Sequence, residues 1–86
     1  MFKEMLLEIV TPQGVMLSRK VTYIKAPGAL GSFGIMVGHI PFYSILTKGL
    51  LEFDAEKRVK MAVEDGVLEC VRNKITVLTS AAEIIS

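Results

Sequence analysis

Apolar and polar positions alternate along most of this chain. Met5, Leu7 and Ile9 interleave with Leu6, Glu8 and Val10, which predicts a first strand ending at Thr11-Pro12-Gln13-Gly14. Pro fixes φ and Gly accepts φ > 0, so that ending is turn chemistry. A second strand is predicted over residues 15–24, weakened at Ser18, Arg19 and Lys20 and stopped by Ala26-Pro27-Gly28. Short apolar strands follow over residues 33–37 and 42–46, with a turn at Gly38-His39-Ile40-Pro41 between them. Lys48-Gly49 breaks the chain before a strand over residues 50–54, and Ala55-Glu56-Lys57 turns it again. Val59, Met61 and Val63 then alternate with Arg58, Lys60 and Glu64, and Asp65-Gly66 separates this run from residues 67–71. Asp-Gly between two such runs predicts a hairpin with a type I′ turn, which needs φ > 0 twice. Arg72-Asn73-Lys74 turns the chain into a strand over residues 75–78, and residues 79–86 read as a short strand or a helical stub. No window holds a helical period. Many short strands with closely spaced turn signals predict an all-β fold, a sandwich or small barrel.

One segment departs from this rhythm. From Ala26 to Thr47 there is no Asp, Glu, Lys or Arg. Such a run is long enough to raise the question of a membrane-spanning helix. Its glycines and prolines argue against one. Gly28, Gly31, Gly34 and Gly38 each cost roughly 1 kcal/mol in a helix interior, and Pro41 about 3. The segment Pro27 to Pro41 reads better as a shaped apolar surface offered to a partner.

Composition sharpens that reading. The chain has 86 residues, enough for one domain over residues 1–86. A chain this short buries only about 60% of its unfolded surface. Yet 51% of its residues are apolar and its mean hydropathy is +0.49. Either the fold is a two-layer β structure rich in aliphatic residues, or another subunit covers part of its apolar surface. Ten basic and nine acidic residues give a net charge of +1, and the basic residues are scattered along the sequence, which speaks against nucleic acid as a partner. The single Cys70 excludes an intrachain disulfide and suits a reducing cytoplasm. Glu4 and Glu8 interrupt the apolar N-terminus, so it does not read as a signal peptide.

Catalytic chemistry finds little to build on. His39 and Cys70 are the only residues of their types, and four N or S ligands for a structural zinc site are not available. Ser32, Ser44, Asp54 and Asp65 supply the letters of a nucleophilic triad with His39, but no nucleophile elbow accompanies them. Gly28, Gly31 and Gly34 are spaced like a phosphate loop, but Ile35-Met36-Val37 reads as strand where a helix N-terminus is needed. The expectation is therefore no catalytic residue, no metal and no cofactor.

Taken in order, the motifs form a set. Pro27-Gly-Ala-Leu-Gly-Ser32 precedes Phe33-Gly-Ile-Met-Val-Gly-His-Ile-Pro41, the opening is Leu7-Glu-Ile-Val-Thr-Pro-Gln-Gly14, and Lys48-Gly49-Leu50 follows. Val63 to Glu69, Asn73 to Leu78 and Ala82-Glu83 complete the set. The set resembles, over nearly the whole chain, the N-terminal domain of the epsilon subunit of F-type ATP synthase, called delta in mitochondria. The resemblance implies a flattened sandwich of two antiparallel sheets, in a non-catalytic subunit of the central stalk. Its implied partners are the gamma subunit and the c subunits of the membrane rotor ring, with the rest of the ATP synthase head reached through gamma. It implies a peripheral location on the cytoplasmic face of the cell membrane, with membrane contact only through the complex. Carried over position by position, the ring-facing turn falls on Ala29, Leu30, Gly31, Ser32 and Phe33, and the gamma-facing side includes Thr11, His39 and Ser44. Family members often have an acidic residue where this chain has Ser32. They commonly continue into a C-terminal pair of helices, and this sequence stops at Ser86, ahead of them. A free-standing β-sandwich adaptor is the alternative reading of the same residues.

Overall fold

The computed structural model describes residues 3–38 and 41–86, and among these every regular element is a strand. They are β1 (Met5–Thr11), β2 (Gly14–Val21), β3 (Tyr23–Gly28), β4 (Gly31–Met36), β5 (Phe42–Leu46), β6 (Gly49–Asp54), β7 (Arg58–Val63), β8 (Gly66–Val71), β9 (Lys74–Thr79) and β10 (Ala82–Ile84). Hydrogen bonding links them in the order β10-β7-β6-β3-β5-β8-β9-β1-β2, with β4 on the other side of β3. The β3–β5 link consists of one paired position, Gly28 opposite Leu46. The path therefore folds there into two facing layers, β10-β7-β6-β3-β4 and β5-β8-β9-β1-β2, joined at one corner. This is the expected β-sandwich. All pairs are antiparallel except β1 and β9, which run parallel with Leu7 beside Ile75 and Ile9 beside Val77. Parallel neighbours need a long connection, and here most of the chain lies between them.

The core follows from alternation. In β1 and β7 every second residue is buried, giving Met5, Leu7 and Ile9 from one layer and Val59, Met61 and Val63 from the other. Leu17, Val21, Ile24, Ala26, Ile35, Leu46, Leu51, Phe53, Leu68, Ile75 and Val77 join them in one continuous cluster. Cys70 lies inside it, paired across the ladders with Phe42 and Ile75. Burial pushes its thiol pKa up, which keeps it protonated and inert. Arg19, opposite Leu7 on β2, lays its guanidinium over the Phe53 ring at 5.9 Å and covers one open end of the sandwich.

Three sequence expectations change. The predicted strand over residues 15–24 is two strands, broken at Thr22. β2 pairs with β1 in one layer, and β3 crosses to pair with β4 and β6 in the other. The predicted Asp65-Gly66 hairpin does not form. β7 pairs with β6 and β10, whereas β8 pairs with β5 and β9, so Glu64-Asp65 is an arch between layers. Thr79 fastens that arch, its Oγ1 donating to the carbonyls of Glu64 (3.0 Å) and Asp65 (3.2 Å). The left-handed turn lies instead at Arg72-Asn73, with φ of 52° and 58°, between β8 and β9. The tail resolves as a strand: β10 lies along β7, and Lys60 continues the ladder to Ile85 and Ser86.

Candidate docking surfaces

The charge-free segment supplies the closed end of the β3–β4 hairpin and all of β5. Gly28 faces Gly31 at that closed end, leaving Ala29 and Leu30 as the two-residue loop. Gly31 takes φ of 131°, a backbone conformation that L side chains rarely adopt. Leu30 stands free of the body at 106% relative exposure. Ala29, Gly31 and Ser32 are exposed beside it. Phe33 is different. It is half-buried, packs against the core and meets the Phe42 ring edge-on, with centroids 5.2 Å apart. The five positions assigned to the ring-facing turn are thus contiguous, but Phe33 anchors the hairpin while Leu30 presents it. Across the corner, the Ala29 amide donates to the Ile45 carbonyl (3.0 Å) and the Thr47 amide to that of Pro27 (2.8 Å), tying the hairpin to β5. An open hollow of about 620 Å³ lies here, lined by the hairpin and by Tyr43, Ser44 and Ile45.

Of the positions assigned to the gamma side, the two that are described, Thr11 and Ser44, are not exposed. Thr11 is 6% exposed, and its hydroxyl both donates to Gln13 Oε1 (3.0 Å) and accepts from the Gln13 amide (3.2 Å), closing the β1–β2 turn. Ser44 is half-buried and shares a sheet face with Phe42 and Leu46, toward the core. His39 lies outside the described residues.

Strand register instead brings together residues that single positions could not reveal. On the outer face of the second layer, Ile45 lies opposite Val67, Val67 opposite Leu78, Leu78 beside Val10, and Val10 opposite Val15. Five apolar side chains from five strands form one continuous row. Ile45 is 63% exposed, Leu78 49% and Val15 60%. A β-bulge between Ile9 and Val10 leaves Met16 unpaired and exposed at the end of that row. The next row over is polar: Tyr43, Glu69, Thr76, Glu8 and Ser18. Cross-strand neighbours of this kind act as a unit, and an exposed apolar stripe rimmed by polar groups is what a docking surface looks like. The sequence signal was present as outward-facing apolar residues in β1, β5, β8 and β9, but only the register aligns them.

Comparison with known proteins agrees with this architecture. Residues 4–85 match the family described as ATP synthase, Delta/Epsilon chain, beta-sandwich domain. The ATP synthase epsilon chain of Maridesulfovibrio salexigens is 46% identical over 84 residues, which is 96% of this chain and 59% of that one. The epsilon chain of Pelotomaculum thermopropionicum is 41% identical over 78 residues, 90% of this chain and 58% of its own. The chain thus spans about three-fifths of the length of these relatives. In the Euglena gracilis mitochondrial ATP synthase (OSCP/F1/c-ring), one chain shares the fold with a TM-score of 0.91 at 19% identity, over 98% of this chain and 55% of that one. A chain in the central stalk and c-ring structure from Tetrahymena thermophila matches with a TM-score of 0.80 at 16% identity, over 92% of this chain and 65% of its own. With a family match over almost its full length and relatives above 40% identity, the chain belongs to the ATP synthase delta/epsilon beta-sandwich family.

Proposed function

We propose that this sandwich is a non-catalytic coupling element of the rotor. On this reading it sits in the central stalk at the cytoplasmic face of the membrane, grips the gamma subunit, and engages the c subunits of the ring, so that all three turn together. One observation carries the proposal: a single sandwich displays two apolar surfaces that meet at Ile45, the five-strand row on its outer face and the Leu30 tip at one end. A rotating coupler needs two grips that cannot shift relative to each other. The row serves gamma and the tip serves the ring. Tyr43 and Ile45, flanking Ser44, take the outward role on β5, and Thr11 supports the row by holding the β1–β2 turn.

The test is assembly. Leu78→Asp puts a charge in the middle of the row and should weaken the complex with gamma by at least about tenfold, as for a central interface position. Leu30→Asp should leave gamma binding intact and weaken capture of the detergent-solubilised ring. Both residues are exposed, so thermal melting should stay near the parent value. Unchanged assembly by both variants would remove the proposal.

A further inference from the structure

The small net charge hides a strong polarity. Two adjoining open hollows, of about 620 and 490 Å³, occupy the end of the sandwich away from the β3–β4 tip and share Glu4 and Lys20. Lys3, Arg19, Lys20, Lys57, Arg72 and Lys74 line them, against Glu4 and Glu56. Six of the ten cations thus line this end with two of the nine acids, and a third acid, Glu8, reaches Lys74, leaving the rest of the molecule with four cations and six acids. Sequence hides this, because the six come from the N-terminus, β2, the β6–β7 turn, the β8–β9 turn and the start of β9. Register explains it: Lys74 lies beside Leu6 and Leu6 opposite Lys20, while the left-handed Arg72-Asn73 turn closes the same end. Among the described residues, only Lys74 of the six has an ion pair, with Glu8 at 3.4 Å.

We infer that this basic end is a docking site for an acidic polypeptide segment. Its shape and lining select that class. A nucleic-acid strand would call for aromatic faces on which bases stack, and the linings contain no aromatic residue. A compact phosphate site gathers backbone amides at a helix N-terminus or nest, and no helix occurs among the described residues. Open hollows leave each cation hydrated and each attraction weak, so a ligand must present several charges at once. An extended strand rises about 3.3 Å per residue, so six to eight acidic residues span roughly the 22 Å short dimension of the molecule. A field of this kind also steers a partner before contact, which makes binding strongly dependent on salt. The inference is independent of the stalk reading, since none of the six cations belongs to the apolar row or the hairpin tip.

The experiment is an NMR titration of the isotope-labelled protein with a synthetic eight-residue Glu/Asp peptide, a Gln/Asn peptide of equal length, and inorganic tripolyphosphate. The acidic peptide should shift the amides of Lys3, Lys20, Arg72 and Lys74, bind roughly tenfold more weakly when salt rises from low to physiological, and lose at least tenfold in affinity to the Lys20→Glu/Arg72→Glu double variant. Melting of that variant should stay near the parent value, because both side chains are exposed. Shifts centred on Lys25 and Lys60, equal affinity for the neutral peptide, or undiminished binding by the double variant would overturn the inference. Tripolyphosphate binding as tight as the peptide would overturn it too, in favour of a small-anion site.

Discussion

Gly66 occupies its position because nothing larger fits there. A Cβ on Gly66 would come 2.0 Å from the Leu78 carbonyl oxygen, in a ladder that pairs Gly66 with Thr79 and holds β8 against β9. The obstacle is backbone in a central strand pair, so relief requires the ladder to open. Gly34 offers the contrast. Its Cβ would meet the Tyr23 hydroxyl at 2.6 Å, but that is the end of a side chain that can swing away. Gly66→Ala should therefore cost about 1–3 kcal/mol, as overpacking does, and lower the melting temperature accordingly. Gly34→Ala should stay within about 1 kcal/mol of the parent, helped by the reduced entropy of the unfolded chain. Paired thermal melts check both, and equal losses would refute the distinction. Gly66 also shows what sequence could not say. Asp-Gly signals a tight turn only where the flanking strands pair with each other, and here they belong to different layers. Arg72-Asn73, a weaker signal, makes the left-handed turn because β8 and β9 are true neighbours. Asn73 then reaches further, accepting the Gly38 amide on its Oδ1 at 2.9 Å.

At the scale of elements, the β6–β7 hairpin carries the clearest electrostatics in the chain. Arg58 Nη2 donates to Asp54 Oδ2 at 3.0 Å, Nη1 to Glu52 Oε1 at 3.3 Å, and the guanidinium carbon lies 5.9 Å from the Tyr23 ring centre. The hydrogen bonds from Arg58 hold the Asp54 carboxyl below the usual carboxylate range. A depressed folded-state pKa means that the pair stabilises the fold above the unfolded value, about 3.9 for Asp, and that this is lost as pH falls through the lower folded value. Asp54→Asn should thus melt below the parent at pH 7, and the gap should close as the solution is acidified past that range. Parallel melting curves at all pH values would show that the pair contributes nothing. The strand itself was legible, since Leu51 and Phe53 alternate inward against Val59, Met61 and Val63. The break at Thr22 was not. Val21 and Ile24 are both buried although three residues apart, positions that an unbroken strand would send to opposite faces, and the break at Thr22 lets each face the core from its own layer. Changes of layer depend on distant partners, which local alternation does not encode.

For the molecule as a whole, the decisive junction is Leu46. It is buried, pairs with Gly28 of one layer and Gly66 of the other, and follows Ile45, the outward residue at the end of the apolar row. The hairpin tip and the outer row are thus connected through two residues of β5 and two backbone hydrogen bonds, those of the Ala29 and Thr47 amides. The apolar segment was legible in the sequence by its lack of charge, and its position at the corner of the sandwich follows only from the fold. If the domain couples two partners as proposed, this corner must be as stiff as the core. The Ala29 and Thr47 amides should therefore exchange with solvent far more slowly than other loop amides. Leu46→Ala removes the side chain that fills the corner and should cost about 2–5 kcal/mol, the range for buried Leu truncations. Its local signature should be larger than its global one, with protection lost first at Ala29 and Thr47 and last along β1 and β9, where the parallel pair is flanked on both sides. Hydrogen-exchange mass spectrometry resolves the two regions. Uniform loss of protection would mean that the corner is no more than a part of the core, and early loss at the corner would show that Leu46 holds the hairpin tip against the end of the apolar row as a local unit.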